Sequence, residues 1–158
     1  LAAFGRSGDK KLTDYDQYWR GLVPELHACR HDVVVLSGDS HHGLIAHTEL
    51  GTADNRHQLV QVVSSPLSLV SPIAASIPER RPHAFPAATP GAEPHPIRYP
   101  LLVPTYRSGP VERSEEHGMT IALWRRDERS LGLRVRTWLA RAATQHREQY
   151  WETTLRSG

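Results

Sequence analysis

The sequence predicts an α/β (α+β) fold in a single domain over residues 1–158, and three observations support this. A short apolar run at residues 33–36 is rich in β-branched residues, which is typical of a strand. Two pairs of strand-like runs flank short polar turns near residues 51–55 and 126–129. An amphipathic helical pattern precedes the first strand. With 158 residues, the chain is long enough to bury one real core.

The first predicted element is a helix over residues 13–30. Thr13 is the expected N-cap, and Pro24 should make the helix kink or restart, because proline removes a backbone hydrogen bond. The apolar face consists of Tyr15, Tyr18, Trp19, Leu22, Val23 and Leu26.

The next predicted elements are strands. The composition of residues 33–36 is typical of a strand that is covered on both faces. Residues 43–50 and 58–64 form a plausible hairpin around the turn. Residues 66–110 hold 11 of the 12 prolines, so we expect an irregular insertion there, with a short helix near residues 67–76 and an edge strand within residues 97–106.

The C-terminal third predicts a hairpin followed by a helix. Residues 119–124 and 131–139 should pair and close a sheet. Residues 140–155 are expected to be helical, because Ala142, His146, Tyr150 and Trp151 fall loosely on one side of a helix.

Composition excludes several classes of protein. The chain has no apolar run near the roughly 20 residues that span a bilayer. Its net charge is +2, and its arginines are interleaved with acidic residues rather than with stacking aromatics, so we expect no nucleic-acid partner. The single cysteine and the lack of a signal peptide favour the cytoplasm. A removed leader is the alternative, because the chain begins with Leu1.

The segment Ser37-Gly38-Asp39-Ser40-His41-His42 follows the first strand and is the candidate functional site, which we call the corner. Side chains two residues apart on an extended backbone point the same way, so Asp39 and His41 could face one metal ion. A carboxylate and an imidazole suit iron, zinc or manganese, and a carboxylate also suits calcium. A polar turn that happens to contain two histidines is the simpler alternative.

The run from residue 33 through Gly38-Asp39-Ser40-His41 resembles the strand and Gly-Asp-x-His motif near the end of PhoD-like metallophosphoesterase domains (alkaline phosphatase D type). The preceding helix, with Asp16 and Trp19, is similar to the helix that leads into that motif. The run Val62-Val63-Ser64-Ser65-Pro66 is similar to a Ser-Ser-Pro strand end that follows it. The resemblance covers roughly residues 13–70.

The resemblance implies a layered two-sheet sandwich with flanking helices. It also implies hydrolysis of phosphate esters at a cluster of two or more metals, with Asp39 and His41 matching the family's late metal ligands. The family's earlier ligand motifs do not occur among the 38 residues before Asp39. We therefore expect the C-terminal portion of such a domain, inactive or nearly so alone, whose partner is a second copy or the missing N-terminal part.

Two other interpretations are open. One is a non-catalytic interaction domain that keeps a remnant of the metal motif. The other is a GDSL-type esterase with Ser40 as the nucleophile, for which Asp54 and His57 provide an Asp-x-x-His pattern. His47 is expected on a sheet face rather than as a further ligand. His83, His95 and His117 are expected to be exposed loop residues, and Glu115-Glu116-His117 a solvated charge run.

Overall fold

A computed structural model describes residues 16–38, 43–52, 54–64, 83–103, 105–108, 111–114, 117–139 and 148–157. A π-helical segment, Tyr18–Leu22, leads into the helix α1, Val23–Ala28. The strands are β1 Val33–Ser37, β2 Leu44–Leu50, β3 His57–Val63, β4 Ala84–Phe85, β5 His95–Pro96, β6 Arg98–Leu102, β7 Thr105–Ser108, β8 Val111–Ser114, β9 His117–Arg125, β10 Ser130–Leu139 and β11 Gln149–Arg156.

The strands form two main sheets and two small hairpins. The larger sheet has four strands in the order β1-β3-β2-β6, with β1 parallel to β3 and the other pairs antiparallel. The smaller sheet has the antiparallel order β11-β10-β9. β4 pairs with β5, and β7 pairs with β8. The fold is therefore a strand-rich member of the α+β class.

One hydrophobic cluster contains side chains from both main sheets. The four-stranded sheet contributes Ile45, Val60 and Val62, which are at most 1% exposed. The three-stranded sheet contributes Leu133 and Val135, which are fully buried. A second cluster packs Leu26 of α1 against Leu50 and Leu59. The four-stranded sheet thus has the other sheet against one face and α1 against the opposite face, as the alternation of side chains along a strand requires.

The carboxylate of Asp32, just before β1, connects the two sheets. Its Oδ1 accepts a hydrogen bond from the backbone N–H of Gln58 in β3 (2.6 Å), and its Oδ2 accepts one from the N–H of Arg156 in β11 (2.7 Å). Gln58 extends the connection, because its side-chain amide donates to the Thr154 carbonyl at 3.0 Å. Three distant parts of the chain therefore meet at one carboxylate.

Several predicted elements are confirmed. The kink or restart predicted at Pro24 corresponds to a change from π-helical to α-helical hydrogen bonding, since Tyr18–Leu22 runs directly into α1 and Pro24 lies in the first turn of α1. The β2–β3 and β9–β10 hairpins form, and β6 is an edge strand within the predicted range. Thr13 and the predicted helix near residues 67–76 lie outside the described residues.

One prediction is wrong, and another holds only in part. Residues 149–156 form β11 rather than a helix. Trp151, Thr153 and Leu155 alternate toward the interior at the period of two that a strand requires, and pairing with β10 outweighs the loose helical pattern. The predicted coverage of β1 on both faces holds for its first three residues, because Val34 packs against the cluster between the sheets and Val33 and Val35 pack against the cluster that contains Leu26. Near the end of the strand it fails, since Leu36 is 63% exposed. Among the described residues, no helix is long and apolar enough to span a bilayer.

Candidate functional site

Asp39, Ser40, His41 and His42 lie outside the described residues, so the structure defines the flanks of the corner rather than the corner itself. The described chain stops at Gly38, one residue past β1, and resumes at Gly43, one residue before β2. Both flanks belong to the four-stranded sheet.

β1 and β3 end side by side at this edge of the sheet. Ser37 is the register partner of Val63, and the N–H of Ser64 donates to the Ser37 carbonyl at 3.0 Å. The carboxyl ends of two parallel strands therefore lead into residues 39–42 and into residue 65. Ligands bind at such strand ends in open α/β sheets.

Gly38 and Gly43 both lie in tight surroundings. A Cβ atom on Gly38 would be 3.1 Å from the carbonyl oxygen of Ser64. A Cβ on Gly43 would be 2.6 Å from Val103 Cγ2 and 2.7 Å from Cε1 of His117. Glycine is needed at Gly43 because the neighbouring side chains occupy the space in which a methyl group would lie.

His117 is a neighbour of the corner that sequence reasoning missed. It was expected in an exposed loop, but it begins β9, pairs with Leu139 and is 1% exposed. Its imidazole packs at Gly43, the residue that follows the corner. No local sequence pattern identifies it as buried, because its burial depends on Leu139 and Gly43, which are distant in sequence. Glu115 and Glu116 lie outside the described residues.

The donor chemistry of Asp39 and His41 fits a transition metal, since one carboxylate oxygen and one imidazole nitrogen are ligands of iron, zinc and manganese. Within the described ranges, no group of three or more His, Cys, Asp or Glu side chains could hold a metal ion.

His47 lies on a sheet face, as expected. It is in the middle of β2, its ring centroid is 6.2 Å from that of Trp151, and it is half-buried. Its register partners are Val60 on β3 and Arg98 on β6.

The residues proposed as partners of Ser40 lie at the other end of the sheet. His57 begins β3 and pairs with Leu50, whereas Val63 at the end of β3 pairs with Ser37. Six residues of strand separate the two ends by roughly 20 Å. His57 is 3% exposed, and its Nε2 donates to the carbonyl of Leu26 at 2.8 Å. It therefore acts as a structural contact between β3 and α1.

A second group of histidines lies where α1 meets the β4–β5 hairpin. The ring centroids of His27 and His95 are 5.1 Å apart, and Nε2 of His27 donates to the carbonyl of Pro86 at 2.9 Å. His95 is half-buried rather than an exposed loop residue, because β5 lies beside β2. Burial of the imidazole, and next the charge of His27, lowers the pKa of His95 below its ordinary value of 6.5.

The corner is joined in sequence to the beginning of β2 through Gly43, whereas the histidine group adjoins the other end of β2. The resemblance to PhoD-like enzymes is carried by the motif residues themselves. Comparison of the chain with protein-family models, with curated proteins and with solved structures found no match.

Proposed function

We propose that the chain is the C-terminal portion of a metal-dependent phosphate-ester hydrolase of the PhoD-like type, with Asp39 and His41 as two of its metal ligands. The observation that carries the proposal is the parallel pairing of β1 and β3. The Gly-Asp-x-His and Ser-Ser-Pro segments begin 26 residues apart in sequence, at Gly38 and Ser64, yet they leave the sheet from adjacent strand ends joined by the Ser64–Ser37 hydrogen bond.

The arrangement of the sheets supports a finer fold proposal. In a layered two-sheet sandwich, the inner faces of both sheets share one core. The cluster around Ile45, Val60 and Leu133 has this composition, and α1 covers the outer face of the four-stranded sheet. We infer that the complete domain has flanking helices and two such sheets.

The proposed chemistry requires more ligands than the corner supplies. Iron, calcium, zinc or manganese, in a dinuclear cluster, would polarise the phosphate ester and activate a water molecule. In this chain, Asp39 would supply a carboxylate oxygen and His41 an imidazole nitrogen. The remaining ligands would come from an N-terminal part of the same domain or from a second copy, so the isolated chain is expected to be inactive or nearly so.

The first test is metal analysis of the purified chain after incubation with each of the four ions and dialysis. We expect close to one bound ion per chain, and loss of that ion in an Asp39→Ala/His41→Ala variant. Asp54→Ala/His83→Ala is the matched control, because it removes the same two side-chain types from exposed positions.

The outcomes separate the proposal from the non-catalytic alternative. Bound metal that disappears only in the corner variant supports the hydrolase. Equal loss in both variants contradicts the assignment of Asp39 and His41 as ligands. No bound metal in the unmodified chain means that the motif is a remnant, as in an interaction domain, or is incomplete without the missing ligands. Labelling of Ser40 by a serine-directed phosphonate would instead support the esterase.

A further inference from the structure

A cleft of about 320 Å³ lies at the end of β2 that is away from residues 39–42. One side is formed by the end of β2 and the turn after it, and the other by residues 95–98. The hydroxyl of Thr48 donates to the carbonyl of Pro96 at 2.9 Å, which holds the two sides together. The volume is near the lower limit of small-molecule sites.

Two arginines line this cleft from opposite sides of β2. Arg98 is on β6 and is the register partner of His47. Arg56 immediately precedes His57, which pairs with Leu50 on the other side of β2. The topology of the sheet thus brings together two guanidinium groups that are 42 residues apart in sequence.

Neither arginine is used in an ion pair within the described part of the chain. Neither has a carboxylate within ion-pair distance there, although Glu49 lines the same cleft. Both are exposed, so their hydrogen-bond donors can reach a ligand. Described ion pairs elsewhere join Arg20 to Asp16, Arg134 to Glu152 and Arg136 to Glu148.

His47 also lines the cleft, but its Nε2 has almost no accessible surface, so that atom is not offered to a ligand. His95 lines the cleft as well and supplies a second imidazole.

We propose that this cleft binds a small molecule through a phosphate or similar oxyanion, held by Arg56 and Arg98. The planar guanidinium group matches the geometry of a phosphate with two parallel hydrogen bonds. Glu49 opposes highly charged ligands, so the cleft suits a single oxyanionic group rather than a polyphosphate. This site is separate from the corner and does not depend on the proposed hydrolase function.

The test titrates inorganic phosphate into the EDTA-treated chain at low ionic strength, followed by amide chemical shifts. We expect saturable shifts at Thr48, Leu50 and Gly51. Arg56→Gln and Arg98→Gln should each weaken binding about tenfold, since one charge-assisted contact is lost. Glu49→Gln should tighten it, because a like charge is removed from the cleft.

Arg125→Gln is the matched control, since it removes the same charge from an exposed position on β9. It should leave the affinity for phosphate unchanged, as should Asp39→Ala/His41→Ala. Absence of saturable shifts would overturn the proposal. Equal weakening in Arg125→Gln would mean a nonspecific charge effect, and loss of binding in the corner variant would place phosphate at residues 39–42; either result also overturns it.

Discussion

At the scale of single residues, Gly43 and His117 define how the chain returns from the corner to the sheet. The imidazole of His117 and the side chain of Val103 fill the space beside Gly43, and the Gly43 carbonyl accepts a hydrogen bond from the N–H of Val103 at 2.9 Å. The position of residue 43 is thus determined by contacts with β9 and with the residue that follows β6. Any change there should be transmitted to residues 39–42, which are covalently adjacent.

We expect Gly43→Ala to lower the free energy of unfolding by about 1–3 kcal/mol, because an added methyl group overpacks a buried contact. Chemical denaturation measures this change, and metal analysis should show weaker metal binding by the corner. Gly21→Ala is the control, since a Cβ there would meet nothing within 4 Å and alanine favours a helix. Equal stability of the two variants would contradict the packing argument.

At the scale of elements, the contact between α1 and β5 depends on the ionisation of His95. The pKa of His95 is lowered first by burial, then by the charges of His27 and, more weakly, His57, while the main-chain carbonyl of Glu49 opposes the shift. Protonation of His95 should therefore weaken the attachment of β5.

The sign of the pH dependence follows from the lowered pKa. Below pH 6.5 the unfolded chain takes up a proton at His95 more readily than the folded chain, so stability falls as the pH falls through the folded pKa. NMR titration of the imidazole should give a pKa below 6.5 and a higher value in His27→Gln. An unchanged pKa in His27→Gln would exclude the charge of His27 as a cause.

On one face of the smaller sheet, contacts around Trp124 connect β9, β10 and β11. Trp124 on β9 lies over Gly132, where a Cβ would be 2.7 Å from the indole Cδ2. The guanidinium of Arg134 lies 5.3 Å from the centroid of the same ring and also pairs with Glu152 at 2.8 Å. The three strands of the smaller sheet are thus connected across one face by a cation–π contact and an ion pair.

At the scale of the whole molecule, Asp32 connects the two main sheets. We expect Asp32→Ala to reduce the free energy of unfolding by about 2 kcal/mol, because it leaves the N–H groups of Gln58 and Arg156 without their acceptor. Asp32→Asn should have a smaller effect, since it keeps one acceptor oxygen. Asp54→Ala, in an exposed turn, is the control, and denaturant unfolding that gives the same loss for it would contradict the argument.

Much of the local structure could be predicted because it depends on neighbouring residues. The β-branched run before Ser37, the glycine turn at Gly51 with its φ of 91°, and the place of Pro24 in the first turn of α1 all follow from the conformations that these residue types favour. The metal ligands Asp39 and His41 are likewise a local pattern, and they remain a prediction.

By itself, the sequence determined the β2–β3 and β9–β10 hairpins and the turns between their strands, because side-chain shape and backbone preference act within a few residues. Only the tertiary structure decided that residues 149–156 pair with β10, that His117 is buried at Gly43, and that Arg56 and Arg98 share a cleft. The physical reason is that each of these features depends on the order and register of strands distant in sequence. The burial and electrostatic environment of these positions depend on residues distant in sequence, which local sequence patterns do not identify.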